Sequence, residues 1–245
     1  MPATILLYHH VTQDDAGPNH VPVERFRSHL DILARAGRRV VGMDEAVSML
    51  PGRGKTRERA VCLTFDDGGL DLYELAMPVL QEYGFPATVF LPSGLAGVST
   101  RSDFDGRPNA FISWEQAREM AAAGMDVQSH ARSHRDLTTL GPEELEEELA
   151  GSRRELEQGL GAAVNYVAYP YGRFNAMVLD AAGKAGYTAG FAAGYSEAGR
   201  FALERMSISG LAGPCSFRFR CSGLAQRLRR LKNRMLRRTR ERGWE

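Results

Sequence analysis

Short apolar runs alternate with longer amphipathic segments along most of this chain. An apolar run of strand length indicates a buried β-strand, and apolar residues that recur every three or four positions indicate a helix. The runs predict seven strands and a weaker eighth. They are Ala3–Tyr8, Arg39–Gly42, Ala60–Phe65, Ala87–Leu91, Met125–Ser129, Asn165–Tyr169, Tyr187–Phe191 and the weaker Met206–Ser209.

Helices are predicted between most of these strands. Ser113 with Gln116 three residues later fits a capping box at the start of one of them. Regular alternation of strands and helices indicates parallel strands, either in a barrel or in an open doubly wound sheet. About eight strands over roughly 210 residues favour the α/β class as a distorted (β/α) barrel of seven to eight parallel strands. The helices are Glu24–Ala36, Leu70–Tyr83, Ser113–Ala123, Pro142–Leu160 and Phe174–Ala185.

The net charge of the chain conceals an uneven distribution. The 245 residues include 31 basic and 30 acidic side chains, a formal charge of +1. Residues 218–245 alone hold 11 basic and 2 acidic residues, so the rest of the chain is acidic. We therefore expect one domain over residues 1–215, followed by a basic tail over residues 216–245. The segment Pro92–Pro108 is polar and rich in Gly and Ser, which indicates a long loop near a site.

No apolar run approaches the roughly 18 to 20 residues that span a bilayer. The first ten residues lack a basic start and fit a strand better than a secretory signal. Cys62 fits a buried apolar residue, whereas Cys215 and Cys221 could pair or remain reduced. A cytoplasmic location is the simpler expectation.

Two adjacent carboxylates stand at the end of a predicted strand, in Thr64-Phe-Asp-Asp-Gly68. Their mutual repulsion is costly unless a cation or a proton relieves it. The carboxyl ends of barrel strands are where catalytic groups collect. The alternative is a strand-to-helix turn in which Asp66 or Asp67 caps the next helix.

A second polar sequence, Ser129-His-Ala-Arg-Ser-His134, follows another predicted strand. Histidines at i and i+4 share one face of a helical turn, a spacing that suits a divalent metal ion, although this motif alone is weak. With Asp67 they would supply two imidazoles and one carboxylate and leave positions open for water and substrate.

Two further strand ends carry suitable groups. Tyr169-Pro-Tyr-Gly172 fits either a rigid turn that presents a backbone N–H to an oxyanion or an ordinary tight turn. Tyr8-His-His10 places histidines after the first strand, where a single histidine is more often structural. Groups suited to catalysis or metal binding follow four different strands, and chance accounts for all four less readily than for any single one.

These motifs, in this order behind a Tyr8-His-His-Val11 start, resemble those of the polysaccharide deacetylases of the NodB-homology type, carbohydrate esterase family 4. The YH start and the YPYG form are most similar to the branch that includes the poly-N-acetylglucosamine deacetylases. The resemblance runs from about Ile5 to Ser209, so it covers the domain and excludes the tail.

The resemblance implies a divalent metal held by Asp67, His130 and His134. Zn²⁺ is the first expectation, with Co²⁺, Ni²⁺ and Fe²⁺ as alternatives. Such a metal would let water attack an acetamide near neutral pH.

The resemblance also implies three catalytic roles. Asp66 would be the general base that takes a proton from the attacking water. Tyr171 would donate its backbone N–H to the oxyanion. His9 would be the general acid that protonates the leaving amine.

The chain departs from the family pattern near the third motif and after the first. Ala168 stands where many members carry an arginine that steadies the base, and Arg173 or Arg205 could replace it. Gly69 stands where a larger residue is frequent.

The Leu-x-His motif of many members is absent, because no histidine follows His134. The YH-start branch resembles a permuted arrangement in which an N-terminal histidine takes over that role. This favours His9 and leaves open whether His10 shares the task.

The tail resembles nothing in the family. The spacing of its apolar residues predicts an arginine-rich helix with an apolar stripe. This helix either folds onto the acidic domain or lies on an anionic membrane surface. Nucleic acid is not an expected partner, because no recognition module is present. The stripe comprises Leu224, Leu228, Leu231, Met235 and Leu236.

The leading hypothesis is metal-dependent hydrolytic N-deacetylation of N-acetylated amino-sugar glycans or glycoconjugates, at the cytoplasmic face of a membrane. One alternative is hydrolysis of another non-peptide C–N bond, such as a small amide or imide. The other is a degenerate family member that binds metal and acts through its tail.

Overall fold

The apolar runs of the sequence form the strands of a parallel sheet. The computed structural model describes residues 3–14, 17–49, 60–101, 108–194, 199–222, 224–225, 228–229 and 231. The strands are β1 (Thr4–Tyr8), β2 (His10–Thr12), β3 (His20–Pro22), β4 (Arg39–Val40), β5 (Ala60–Phe65), β6 (Thr88–Leu91), β7 (Ser99–Arg101), β8 (Pro108–Ala110), β9 (Asp126–Ser129), β10 (Tyr166–Ala168), β11 (Ala189–Phe191) and β12 (Met206–Ser207).

Helices connect successive strands of the sheet. Two of the predicted helices contain a wide π-helical turn, at Leu72–Ala76 before α3 and at Glu147–Gly151 between α5 and α6. The capping box of Ser113 and Gln116 is present at the start of α4. The helices are α1 (Val23–Arg35), α2 (Met43–Ser48), α3 (Met77–Tyr83), α4 (Trp114–Ala122), α5 (Pro142–Glu146), α6 (Ser152–Leu160), α7 (Ala176–Lys184) and α8 (Pro214–Arg220).

The main sheet has the order β11-β10-β9-β6-β5-β1-β12, and β4 pairs with β5 beside this path. Every pair in it is parallel. This curled sheet with surrounding helices confirms the prediction of a distorted (β/α) barrel of seven to eight strands. All the metal-site and catalytic candidates therefore follow strands whose carboxyl ends meet at one edge.

One short segment pairs with β11 at one edge of the sheet and runs into β12, the strand at the other edge. Leu203 pairs with Phe191 at the end of β11, and Met206 pairs with Leu6 of β1. Arg205 lies between these two contacts and is fully buried. The segment thus links the sheet edges and carries a charged side chain into the interior.

Side-chain alternation along β5 explains what faces that interior. Ala60 and Cys62 belong to an apolar cluster with residues of β1, β6, β10 and β11 and with α2. Successive strand residues point to opposite faces, so Thr64 and Asp66 share the face of Ala60 and Cys62. The buried, unpaired thiol of Cys62 confirms its predicted role as an apolar residue.

Six short elements were not predicted: β2, β3, β7, β8, α2 and α8. Most of them contain too few residues to show a hydrophobic period. In Pro92–Pro108, predicted as a loop, Ser93–Leu95 forms a helical turn, and β7 pairs with β8. Residues 102–107 lie outside the described part of the chain. Within that part, no helix combines the length and the apolar character needed to cross a membrane.

The start of the predicted tail packs on α1. The Phe217 ring stacks on the His29 ring at 4.0 Å between centroids, and the Tyr8 hydroxyl and His29 Nδ1 share a hydrogen bond at 3.2 Å. Phe217, Cys221 and Ala225 are buried in the main core. The proposed division after residue 215 stays a prediction, and the residues beside it share one core.

Burial and the charge of Arg25 lower the pKa of His29 to about 4. The unfolded state therefore binds the proton more tightly, and stability should fall as the pH drops from about 6.5 to 4. We expect His29→Gln to remove about 3 kcal/mol of that pH-dependent loss. Urea unfolding of both proteins across this pH range measures the difference. Parallel pH curves for the two proteins would contradict the assignment.

Candidate active site

The backbone is strained where the predicted motifs lie. Among the described residues, those other than glycine with positive φ are Asp67, Ala131, His134 and Tyr171, at 71°, 61°, 59° and 58°. This left-handed region is uncommon for residues with a Cβ, and such outliers concentrate at functional sites. All four belong to the three motifs that follow β5, β9 and β10.

Asp67, His130 and His134 converge, but His130 and His134 lie on a loop with left-handed residues and not on the helical turn that their spacing predicts. Asp67 Oδ1 lies 3.3 Å from His130 Nε2 and 3.2 Å from His134 Nε2. One ligand atom from each residue lies within 4.8 Å of the others. Two imidazole nitrogens and one carboxylate oxygen suit Zn²⁺ or a similar divalent ion and leave open coordination positions. These three residues fit a metal ion, and they are the ones that would hold it.

The orientation of His130 is set by a neighbouring strand. Its Nδ1 donates to the carbonyl oxygen of Ala168 at 2.8 Å, and its Nε2 points at Asp67 Oδ1, where a metal ion would bind. A hydrogen bond of this kind fixes the tautomer and the ring direction of a metal-binding histidine. Ala168 stands where the family pattern has an arginine, and it orients His130 through its backbone carbonyl.

Glu148 holds the loop that joins the two histidines. Its carboxylate accepts hydrogen bonds from the backbone N–H groups of Arg132 and Ser133, both at 3.0 Å, and from the Ser133 hydroxyl. Ser152 adds a hydrogen bond to the Ala131 carbonyl at 2.8 Å. Sequence analysis missed Glu148, because it lies in a run of glutamates that resembles a solvated helix face. The π-helical turn at Glu147–Gly151 carries it.

Asp66 does not join the metal triad and instead pairs with Arg205. The two guanidinium nitrogens Nη1 and Nη2 donate to Oδ1 and Oδ2 of Asp66, each at 2.6 Å. Both side chains are buried. Arg205 also donates to the Ala192 carbonyl at 3.2 Å and lies over the Phe90 ring at 5.2 Å from its centroid. This two-point geometry is the strong form of an arginine–carboxylate interaction.

The environment keeps Asp66 ionised. Burial raises the pKa of its carboxyl, but the charges of Arg205 and His130 and the hydrogen bonds from Arg205 outweigh it, so the pKa lies below the usual value. For Asp67, hydrogen bonds from His130 and His134 likewise outweigh burial and hold the pKa well below its usual range. Asp66 can therefore accept a proton without first losing one.

The structure decides between the two arginines that could replace the missing one. Arg205 binds Asp66, whereas Arg173 pairs with Asp136 at 2.6 Å on the surface. The glycine at position 69 also has a physical reason. A Cβ at Gly69 would collide with the Asp71 carboxylate.

Asp71 engages His10 rather than His9. Its Oδ1 lies 3.0 Å from His10 Nδ1, and its Oδ2 accepts the N–H of Val11 at 2.6 Å. Burial lowers the pKa of His9, while the charges of Asp67 and Asp66 raise it less strongly. The choice of His9 over His10 as the acid stays a prediction.

Tyr171 lies beside the metal triad. Its ring is 4.8 Å from the His134 ring, and the side chain is about half exposed at 48%. Gly172 completes the turn, since a Cβ there would collide with the backbone of Ala193. The predicted roles of Tyr171 and of the other site residues stay predictions; the geometry brings the residues together.

Comparison with known proteins identifies the family of this chain. The model of the family described as polysaccharide deacetylase matches residues 53–190. The chain belongs to the polysaccharide deacetylase family. It is therefore a hydrolase of carbon–nitrogen bonds other than peptide bonds. The polysaccharide deacetylase YxkH of Bacillus subtilis is 32% identical over 214 residues, which cover 85% of this chain and 72% of YxkH.

Other relatives within the polysaccharide deacetylase family match over a smaller share. The poly-β-1,6-N-acetyl-D-glucosamine N-deacetylase of Staphylococcus aureus strain MRSA252 is 29% identical over 57% of this chain. That match covers 49% of the S. aureus protein, about half its length.

Solved structures share the fold. IcaB from Ammonifex degensii superposes with a TM-score of 0.76 at 26% identity, over 90% of this chain and 95% of IcaB. The Streptococcus pyogenes deacetylase PplD, solved with acetate, reaches a TM-score of 0.78 at 24% identity, over 91% and 99% of the two chains. The likeness to PplD, at this identity, concerns the fold alone.

Replacing Arg205 should change the pH dependence of catalysis. In Arg205→Met, burial of Asp66 is no longer offset, so the acid limb of the kcat/KM profile should move up by about one pH unit or more. Arg205→Lys keeps the charge but loses the two-point contact, and should give a smaller shift. Arg173→Met is the surface control and should leave the profile in place. An unmoved acid limb in both Arg205 variants would contradict the role assigned to this arginine.

Removing Glu148 should weaken metal binding without touching a ligand. Glu148→Ala releases the loop between His130 and His134, and we expect zinc affinity to fall by about 10- to 100-fold. Competition with a chromophoric chelator measures it. Glu146→Ala, on an exposed position of α5, is the matched control. Equal affinities in the two variants would show that the loop needs no such support.

Proposed function

We propose that the protein removes acetyl groups from N-acetylated amino-sugar glycans by metal-dependent hydrolysis. Membership of the polysaccharide deacetylase family supports the class of reaction. The Staphylococcus aureus relative, which by name acts on poly-β-1,6-N-acetyl-D-glucosamine, supports the amino-sugar substrate. The finer choice of glycan is part of this proposal.

The observation that carries the proposal is an ionised carboxylate beside the ligand triad that does not belong to it. Asp66 is held by Arg205, while the adjacent Asp67 contacts His130 and His134. A divalent ion in the triad would supply Lewis acidity, which lowers the pKa of the attacking water and polarises the acetamide carbonyl. A site that only bound metal for stability would have no need of Asp66 and its buried arginine.

The remaining groups complete the hydrolysis. Asp66 accepts a proton as the water oxygen bonds to the acetyl carbon. The backbone N–H of Tyr171 stabilises the oxyanion that forms on the acetyl oxygen. The proton that Asp66 takes from the water passes by way of His9, the general acid, to the amide nitrogen as the carbon–nitrogen bond breaks. Acetate and a free amino sugar leave.

Replacing the base should stop turnover and leave the metal in place. We expect Asp66→Asn to lower acetate release from N-acetylglucosamine oligomers by about 100-fold or more, because a general base contributes on that scale. Zinc content, measured by atomic absorption, should stay near one ion per chain. Asp180→Asn, an exposed surface change, should retain both activity and metal. Full activity in Asp66→Asn would overturn the mechanism.

Replacing a metal ligand should remove both metal binding and activity. His130→Ala should lose bound zinc and activity together, since two remaining ligands hold the ion poorly. Zinc added in excess should restore activity in the metal-stripped wild-type protein and not in the variant. Unchanged metal content in His130→Ala would exclude this ligand assignment. Release of ammonia or of a carboxylate other than acetate would favour the alternative C–N hydrolase.

A further inference from the structure

A cavity of about 350 Å³ opens on the outer surface where the end of α1 meets α8. Its apolar wall comes from α1 and from the buried thiol of Cys221. Three arginines line it as well. The residues are Ile32, Leu33, Arg35, Ala36, Arg38, Arg218 and Cys221.

Two of the three arginines have no carboxylate partner. In the part of the chain that the structure describes, the side chains of Arg38 and Arg218 form no ion pair, and Arg35 is 3.6 Å from Asp31. If these arginines served only to stabilise the fold, we would expect an acidic side chain to neutralise them. The cavity therefore presents uncompensated positive charge above an apolar wall.

Large apolar side chains are exposed in α8, just before it and in the chain that follows it. Leu224, Leu228 and Leu231 are 56%, 47% and 56% exposed and follow the i, i+4, i+7 spacing of one helix face. Leu211 and Phe219 are also exposed, at 65% and 47%. A soluble protein rarely leaves such a group of large apolar residues uncovered without a partner.

The leucines are not the contact between the tail and the domain. Ala225 is buried, and Arg229 donates from Nη1 to the carbonyl of Arg205 at 3.4 Å. These two residues face the domain, so the leucine face is left to solvent. The described part of the tail is thus attached to the body by one side and open on another.

We propose that this face binds the surface of an anionic phospholipid bilayer. The arginines of the cavity would take lipid phosphates, and the leucines and Phe219 would enter the boundary between headgroups and acyl chains. Charge complementarity supports this occupant, since residues 218–245 hold 11 basic and 2 acidic residues. A free anion would satisfy the arginines but would leave the apolar face uncovered.

Topology places the cavity end of this lipid face away from the active site. Arg38 precedes Arg39, whose strand partner is Ala60, the first residue of β5. Asp66 follows the last residue of β5, so the two sites are separated by about 20 Å along the strand direction. A bound membrane would leave the carboxyl edge of the sheet open to a glycan that arrives from water.

Vesicle partitioning of the full chain tests the proposal. We expect sedimentation with vesicles of phosphatidylcholine containing 30% phosphatidylglycerol, in the ~100 nm size range used for such assays, and little with phosphatidylcholine alone. Arg38→Gln with Arg218→Gln should weaken the partition coefficient by about thirty-fold, which corresponds to about fivefold for each arginine. Leu224→Ser, Leu228→Ser and Leu231→Ser combined should weaken it by about tenfold or more. Thermal melts check that each variant is folded.

Matched controls separate this site from general charge and from other partners. Arg118→Gln with Arg154→Gln removes the same charge from exposed positions of α4 and α6, and should keep partitioning within about twofold. Equal loss in this control would overturn the proposal. So would equal binding to neutral vesicles, or tighter binding of a DNA duplex that the same cavity variants abolish. Activity on soluble oligomers should be unchanged in the cavity variants.

Discussion

The arrangement of this site depends on one buried ion pair, between Asp66 and Arg205. A buried charge is costly, and an arginine with two hydrogen bonds is the partner that best offsets the cost for a carboxylate. Arg205 comes from the segment that pairs with β11 at one edge of the sheet and continues into β12 at the other. The segment that closes the barrel therefore also supplies the arginine that keeps the proposed base ionised. This explains how the chain manages without the arginine that its family often carries at position 168.

Two adjacent aspartates acquire different tasks because strand alternation separates them. Asp66 continues the inward face of β5, whereas Asp67 adopts a left-handed backbone and turns to the histidines. His134 and Tyr171 carry the same kind of strain. The strain persists because its surroundings hold it, with Glu148 bound to the loop that joins the histidines. The backbone geometry and the buried polar contacts thus hold the side chains of the site in place.

The sequence predicts the barrel, its long elements and the convergence of the metal triad, because the hydrophobic period and the position of each motif after a strand are local properties. It could not separate Arg205 from Arg173, since both follow the third motif, and only the closing segment brings Arg205 to Asp66. Glu148 gave no signal: a glutamate among glutamates becomes a loop anchor only through a π-helical turn. Short elements such as β2 and α2 were missed because two to six residues show no period.

The titration of the Asp66 carboxyl tests the account most directly. Carbon-13 NMR of the protein labelled at aspartate carboxyls can follow it, with Asp66→Asn to assign the signal. The account predicts that Asp66 titrates below the value of an exposed aspartate in the wild-type protein, and above it in Arg205→Met. A wild-type titration above that of an exposed aspartate would mean that Arg205 does not hold the base ionised, and would contradict the central claim.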